Sequence, residues 1–298
     1  MRADLAANSA SAVALARAIE SGRPSDSRLF ADPFAVSFLA PLQRALVKLC
    51  GVPVLGGALL AIPELVAPGI RANTLGRTRF IDDVMLAAVE SGIDQLLILG
   101  AGYDCRPYRF AAVSRVPIFE VDHPATQARK RTLLAQVLPA IPPNVAFVPV
   151  DFNRQSLAGR VTDAGFRVGC RNFFIWEGVT EYLSQEAVDA TFRFVVESSA
   201  VGSEIVFTYT DAGLIDGTRE FPGGRRLLAM NRLGGEPYTF GLDPTALRGY
   251  LAERNLELLE DIAGIGYATR YWKPLGRRLR GNEYERAVHA RVRTALGG

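Results

Sequence analysis

The chain has 298 residues, of which 49% are hydrophobic and 22% are charged, a balance typical of an ordinary globular protein with an ample core. Its net charge of +3 is too small to favour a nucleic acid partner. The three cysteines are scattered and the two histidines, His123 and His289, lie far apart, so we predict no metal site. Unpaired cysteines also fit a reducing compartment, and we expect a cytoplasmic protein.

The first 94 residues are predicted to form a helical cap that precedes the first strand and belongs to the same compact unit. Small and apolar residues recur at helical spacing over 5–21, which predicts an amphipathic helix. Asp32-Pro33 is expected to open a second helix, because proline is harmless in a first helical turn. A third helix is predicted over 74–91.

Residues 46–70 are very apolar, but prolines and glycines interrupt them and they contain Lys48 and Glu64. No uninterrupted apolar span of about 20 residues remains, so we predict no membrane span. A buried helix with a loop, a lid over an apolar substrate and a membrane-surface contact are the interpretations that stay open.

From residue 95 onward, strands alternate with helices, which predicts an α/β, doubly wound sheet of seven strands over 95–298. The predicted strands are 95–99, 116–121, 145–150, 172–177, 203–210, 256–262 and 286–293. The predicted helices between them are 124–138, 155–163, 184–199 and 243–254. A Gly- and Arg-rich insertion, 211–242, is too long for a plain connection and is predicted to be a lid.

A glycine turn follows the first strand, and an acid closes the second. Gly100-Ala101-Gly102 allows a sharp turn and the close approach of a ligand, and Asp122 can accept hydrogen bonds from ribose hydroxyls. A dinucleotide fingerprint needs a third glycine where Cys105 stands, so dinucleotides are disfavoured. S-adenosylmethionine needs no pyrophosphate cradle, and it is the predicted cofactor.

The next two strands also end in acids. Because ligands bind outside the carboxyl ends of strands in open α/β sheets, each of these ends is a candidate contact. Asp151 could accept the adenine amine while Phe152 packs on the base, and Glu177 could hold the methionyl ammonium. Arg77 is the candidate cation for the methionyl carboxylate. For any single acid, a solvated helix N-cap is the alternative interpretation.

In five motifs the chain resembles the leucine carboxyl methyltransferase family, class I S-adenosylmethionine-dependent enzymes with a Rossmann-like fold. The motifs are Arg77-Thr78-Arg79-Phe80-Ile81-Asp82, Leu97-Ile98-Leu99-Gly100-Ala101-Gly102-Tyr103-Asp104-Cys105-Arg106, Phe119-Glu120-Val121-Asp122-His123-Pro124, Val150-Asp151-Phe152 and Trp176-Glu177-Gly178-Val179-Thr180-Glu181-Tyr182-Leu183. The resemblance implies a methyltransferase in which the residues assigned above hold the cofactor. It also implies that Tyr182 faces the reacting centre and positions the substrate.

The acceptor of the methyl group is less determined, since 45–70 and 211–242 match no family pattern. A carboxylate needs no general base, and the scarcity of histidines therefore favours a carboxylate, or an acidic phenol, of a small molecule. Arg106, Arg225 and Arg226 either neutralise an acidic acceptor or are solvated. A protein or RNA methyltransferase that uses the basic stretch 270–280, and a non-catalytic binding module, are the alternatives. The sequence carries no signal for the oligomeric state.

Overall fold

The computed structural model describes residues 3–52, 55–150 and 155–293. Within these ranges the chain forms one seven-stranded sheet with the strand order β3-β2-β1-β4-β5-β7-β6. The strands are β1 Gln95–Leu99, β2 Ile118–Asp122, β3 Val145–Pro149, β4 Asn172–Trp176, β5 Glu204–Thr210, β6 Leu256–Ile262 and β7 Glu285–Val292. The pairs among β1 to β5 are parallel, whereas β7 runs antiparallel to both of its neighbours.

Helices cover both faces of the sheet, as the doubly wound pattern predicts. The helices of the described residues are α1 Ala3–Ser21, α2 Pro41–Cys50, α3 Leu55–Val66, α4 Ile70–Glu90, α5 Arg106–Arg109, α6 Pro124–Leu134, α7 Leu157–Asp163, α8 Gln185–Glu197, α9 Ala212–Ile215, α10 Gly224–Leu233, α11 Leu247–Ala252 and α12 Gly264–Tyr267. Helices α7, α8 and α11 lie on one face of the sheet and α4 lies on the other. A π-helical turn continues α12, and a 3₁₀ turn, Thr180–Tyr182, follows β4.

The central strand β1 is buried along its whole length because apolar side chains leave it on both faces. Leu97 and Leu99 face the core that α7, α8 and α11 cover. Leu96 and Ile98 face the core that α4 covers. Since β2 and β4 lie on either side of β1, the chain reverses its direction of travel across the sheet at the carboxyl end of β1. In an open α/β sheet this switch point is where a ligand is expected.

The seven predicted strands are all present, each within two residues of its predicted bounds. Two predicted helices need correction. After Asp32-Pro33 there is only a short 3₁₀ turn, Ala35–Phe38. Asp32 caps it by accepting the amides of Phe34 and Ala35, but the backbone becomes extended at Leu39 and Ala40, directly before Pro41, and this ends the turn. The helix predicted over 243–254 begins later, at Leu247, since Asp243 instead forms a turn with Thr245.

The apolar stretch 46–70 falls in two helices, the end of α2 and the whole of α3. Among the described residues, no single helix is long and apolar enough to cross a membrane. The helical segments 55–65 and 70–90 are long and apolar enough only when they are counted together, and their axes form an angle of 97° at the break between them.

The N-terminal helices pack directly on the sheet's ligand edge. Helix α1 contacts α4 and α6, and Phe38 stacks on Tyr103 of the glycine loop with ring centroids 4.7 Å apart. The insertion 211–242 contains α9 and α10, and Asp211 pairs with Leu242 to close its two ends. Both segments therefore border the carboxyl ends of the strands. The division of the chain into a cap over 1–94 and a sheet domain over 95–298 stays a prediction.

Candidate cofactor and acceptor site

The glycine turn after β1 requires glycine for two separate reasons. Gly100 and Gly102 have φ angles of +70° and +42°, a region that side chains with a Cβ rarely adopt. In addition, a Cβ on Gly100 would lie 2.4 Å from Cγ2 of Val179. The turn is thus packed tightly against the segment that follows β4, and a side chain at Gly100 would separate the two.

Asp122, at the end of β2, is oriented by backbone amides. Its Oδ2 accepts the Gly102 amide at 2.5 Å and its Oδ1 accepts the His123 amide at 2.6 Å. Burial raises the pKa of Asp122, and these two hydrogen bonds oppose the increase. A carboxylate oxygen has more than one acceptor position, so Asp122 can still accept two hydroxyl groups from a ligand. His123 itself begins α6 by accepting the Ala125 amide, which is a structural role.

Arg77 and Glu177 are brought together from α4 and the end of β4. Arg77 Nε lies 2.9 Å from Glu177 Oε1, and both side chains are mostly buried, 11% and 15% exposed. Glu177 Oε2 also accepts Arg106 at 3.0 Å. Burial opposes the ionisation of Glu177, but Arg106 and Arg77 outweigh it and hold the pKa of Glu177 below its ordinary value.

Arg106 is the centre of a buried ion network. It is 1% exposed, and it bonds Asp82 at 2.8 Å, Asp104 and Glu177. Arg109 also pairs with Asp82, at 2.6 Å. Arg106 therefore neither neutralises an acceptor nor lies in solvent, the two roles considered from the sequence. It connects three of the motifs, those that contain Asp82, Asp104 and Glu177.

The other arginines considered for the acceptor are solvated. The Arg225 side chain is 88% exposed and pairs with Glu220, and Arg226 is also exposed on α10. The solvated interpretation is therefore confirmed for both.

Tyr182 lies where α1 and the insertion meet over the end of β4. Its ring packs edge-to-face against Tyr238 of the insertion, with centroids 5.4 Å apart. Ser9 of α1 hydrogen-bonds Glu236 of the insertion and also lowers the pKa of Tyr182 through a hydrogen bond. Burial dominates, however, and raises the pKa of Tyr182, so its phenol stays protonated at neutral pH.

One buried acid in this region had no predicted role. Glu181 is 7% exposed, and burial raises its pKa to about 7. In the described part of the chain no arginine or lysine forms an ion pair with it, although Arg77 is near enough to lower its pKa. Its position in the Trp176–Leu183 motif was visible in the sequence, but its burial was not.

Asp151 and Phe152, the predicted adenine contacts, lie outside the described residues. Their roles stay predictions.

The amino-acid sequence has relatives with a shared name. A protein of Parafrankia sp. named "Putative S-adenosyl-L-methionine-dependent methyltransferase" is 36% identical over 194 residues, which are 65% of this chain and 60% of that protein. A protein of Streptomyces coelicolor with the same designation is 31% identical over 212 residues, 68% of this chain and 69% of that protein. The match thus spans less than two thirds of the Parafrankia relative.

Two solved structures share the fold. A crystal structure from Thermobifida fusca, titled as a putative methyltransferase, has a TM-score of 0.56 at 19% identity and covers 94% of both chains. A DUF574 family protein from Streptomyces avermitilis has a TM-score of 0.55 at 14% identity and covers 93% of this chain and 96% of its own. These likenesses agree with the predicted Rossmann-like sheet.

A family model described as "Leucine carboxyl methyltransferase" matches residues 10–196, more than half of the chain. This range contains all five motifs and the whole Arg77–Glu177–Arg106 network. The chain belongs to the leucine carboxyl methyltransferase family.

Proposed function

We propose that the protein is an S-adenosylmethionine-dependent O-methyltransferase that acts on a small molecule. The observation that carries the proposal is the pairing of Asp122 with the Gly102 amide at the switch point of the sheet. A carboxylate held beside a glycine turn at this place suits the ribose of a nucleoside cofactor. The names of the relatives support the same cofactor.

The residues present suit each part of this cofactor. Asp122 would accept the ribose hydroxyls, and Gly100 and Gly102 would let the methionyl chain approach the turn. Glu177 would receive the ammonium group, because two arginines keep it ionised. Arg77 binds Glu177 through Nε, so its terminal nitrogens are available to the methionyl carboxylate.

For the adenine, we propose that Asp151 accepts a hydrogen bond from the amine and that Phe152 packs on the base. When bound, the cofactor supplies an electrophilic methyl group on a sulfonium centre. The protein's task is then to align the acceptor and exclude water. Tyr182 is proposed to position the acceptor, since it lies under the insertion at the carboxyl end of β4.

The acceptor in this proposal is a carboxylate or an acidic phenol. Small molecules are favoured over RNA because the basic stretch 270–280 is partly neutralised: Arg270 pairs with Glu260, and Arg277 pairs with Glu20. All three cysteines are free thiols, which supports a location in the reducing cytoplasm.

Isothermal titration with S-adenosylmethionine tests the cofactor assignment. We expect the wild type to bind, and Asp122→Ala to bind about 10- to 100-fold more weakly, because hydrogen bonds to a charged group contribute about 1.5–3 kcal/mol. Asp163→Ala, an exposed aspartate at the end of α7, is the matched control and should bind like the wild type. A wild type that binds no cofactor would refute the proposed function.

A further inference from the structure

Glu181 is fixed between the glycine turn and the insertion. It lies in the 3₁₀ turn after β4, and the preceding Val179 fills the space beside Gly100. Its backbone oxygen accepts the Thr239 amide of the insertion at 2.7 Å. The backbone of Glu181 is therefore held from both sides, at the edge of the sheet where the cofactor is proposed to bind.

The carboxyl group of Glu181 is buried with little to stabilise its charge. Thr180 Oγ1 is 3.4 Å from Oε2, but it donates its single proton to the Thr208 carbonyl at 2.6 Å, so the backbone amide of Glu181 is the main hydrogen-bond donor to the carboxyl group. Burial is the main influence and raises the pKa of Glu181 to about 7. A carboxyl group that is partly ionised at neutral pH can take a proton during a reaction.

The charged and titratable groups that influence Glu181 come from every element around it. Arg77 comes from α4 and Glu285 from the start of β7, and the rings of Tyr182 and Tyr238 belong to its own turn and to the insertion. The one cation among them, Arg77, is already paired with Glu177. A second anion would be repelled here, whereas a neutral aromatic ring could pack against the tyrosines.

A further buried hydroxyl lies beside Arg77. The Tyr267 ring covers Gly76, where a Cβ would come within 2.5 Å of the ring, and its hydroxyl is buried with no hydrogen-bond partner among the described residues. Buried polar groups are normally bonded, so this hydroxyl is free to meet a polar group of a ligand.

We propose that Glu181 is the general base of the methyl transfer and that the acceptor is a neutral phenol. This inference rests on the proposed function, but it replaces an acceptor that needs no base by a phenol that must lose its proton during the reaction. An aliphatic alcohol is too weak an acid for such a base, whereas a phenol has an ordinary pKa of about 10. A carboxylate acceptor would need no base and would enter beside two carboxyl groups, the buried Glu181 and the partly buried Glu285.

In the proposed step the phenol O–H bond breaks, and its proton goes to a carboxylate oxygen of Glu181. The electron pair on the phenol oxygen forms a bond to the methyl carbon, while the carbon–sulfur bond breaks and its electrons stay on sulfur. The products are the methyl ether, S-adenosylhomocysteine and protonated Glu181, which returns its proton to water.

Methyl transfer is measured with radiolabelled S-adenosylmethionine and a panel of one- and two-ring phenols, each matched by the corresponding aromatic carboxylate. We expect the wild type to methylate phenols and not their carboxylate counterparts. Glu181→Gln should keep the cofactor affinity of the wild type and lower kcat for an alkylphenol by about 100- to 1,000-fold. A nitrophenol that is already ionised at about pH 8 is itself an anion and should react slowly with the wild type, but the further loss in Glu181→Gln should be less than about 10-fold, because no proton has to be removed.

Glu186→Gln, an exposed glutamate one turn further on, is the matched control and should react like the wild type. Infrared difference spectra between the wild type and Glu181→Gln give a readout that needs no acceptor. A protonated carboxyl band that disappears with a midpoint near pH 7 would support the proposal.

The proposal is overturned if Glu181 titrates below about pH 5, or if Glu181→Gln retains the wild-type rate with alkylphenols. It is also overturned if the wild type binds the cofactor but methylates only carboxylates, or no phenol of the panel. If the wild type binds no S-adenosylmethionine, the proposed function itself is refuted. Failure of the general base and failure of the cofactor assignment therefore give different results.

Discussion

Replacing Arg106 by methionine removes the cation that three buried carboxylates share. Glu177 would keep Arg77 and Asp82 would keep Arg109, but Asp104 would lose its one ion-pair partner among the described residues. One uncompensated buried charge costs about 3–5 kcal/mol. For a chain of 298 residues, with an unfolding entropy of about 2.1 cal/mol/K per residue, that corresponds to a decrease in Tm of about 5–8 °C, which circular dichroism can measure.

The pH dependence of this loss follows from Asp104. In the wild type, burial opposes its ionisation, but Arg106 outweighs burial and holds the pKa of Asp104 below its ordinary value. Asp104 therefore stabilises the fold above pH about 4, and this contribution is lost as the pH falls through the lowered pKa. Without Arg106, burial would raise the pKa of Asp104 and make it destabilising at neutral pH. The difference in Tm between variant and wild type should thus shrink from pH 7 to about pH 4.

Arg225→Met is the matched control, because Arg225 also forms an ion pair but its side chain is 88% exposed. An exposed pair contributes about 0–1 kcal/mol, so this variant should melt within about 2 °C of the wild type. If Arg106→Met melts as close to the wild type as Arg225→Met does, the buried charge of Asp104 does not depend on Arg106 for its stabilisation.

The remaining predictions concern close packing and the acceptor site. Gly100→Ala should weaken cofactor binding and lower the free energy of unfolding by about 1–3 kcal/mol, because the new Cβ would clash with Val179 and because the φ of residue 100 is positive. A cofactor affinity equal to that of the wild type in calorimetric titration would contradict this. Gly76→Ala should displace the Tyr267 ring, which a change in near-ultraviolet circular dichroism would detect. Tyr182→Phe should leave cofactor affinity unchanged in titration and lower the rate of methyl transfer, and an unchanged rate would remove Tyr182 from the acceptor site.

The sheet could be predicted from the sequence because each strand is a short apolar run with polar or turn-forming residues at its ends. β1 and β6 have their predicted bounds, and the glycine turn follows β1 as expected. The predicted family and the doubly wound architecture are both confirmed. Asp243 shows where such reasoning fails: an aspartate before a proline can cap a helix or form a turn with Thr245, and local sequence does not distinguish the two.

The candidate site was predictable only in part, because long-range contacts decide what each side chain does. Arg77 and Glu177 were both predicted as cofactor residues, but their ion pair joins positions 100 residues apart. From the sequence, Arg106 is predicted either to be solvated or to neutralise an acidic acceptor, because no local pattern shows that Asp82 and Glu177 converge on it. Its role depends on the meeting of three elements, and only the folded chain reveals it.

The predicted acceptor also depends on surroundings that the amino-acid composition does not show. With two histidines in the chain, a count of residue types indicates few general bases and favours an acceptor that needs none. Basicity is not fixed by residue type, however, because burial can raise the pKa of a carboxyl group to the working pH. Glu181 is in such an environment: its side chain is buried, and the insertion covers its turn, since Thr239 donates its amide to the Glu181 carbonyl. If Glu181 is the base, the segment that encloses it, 211–242, controls both which phenol enters and how strongly the base attracts its proton.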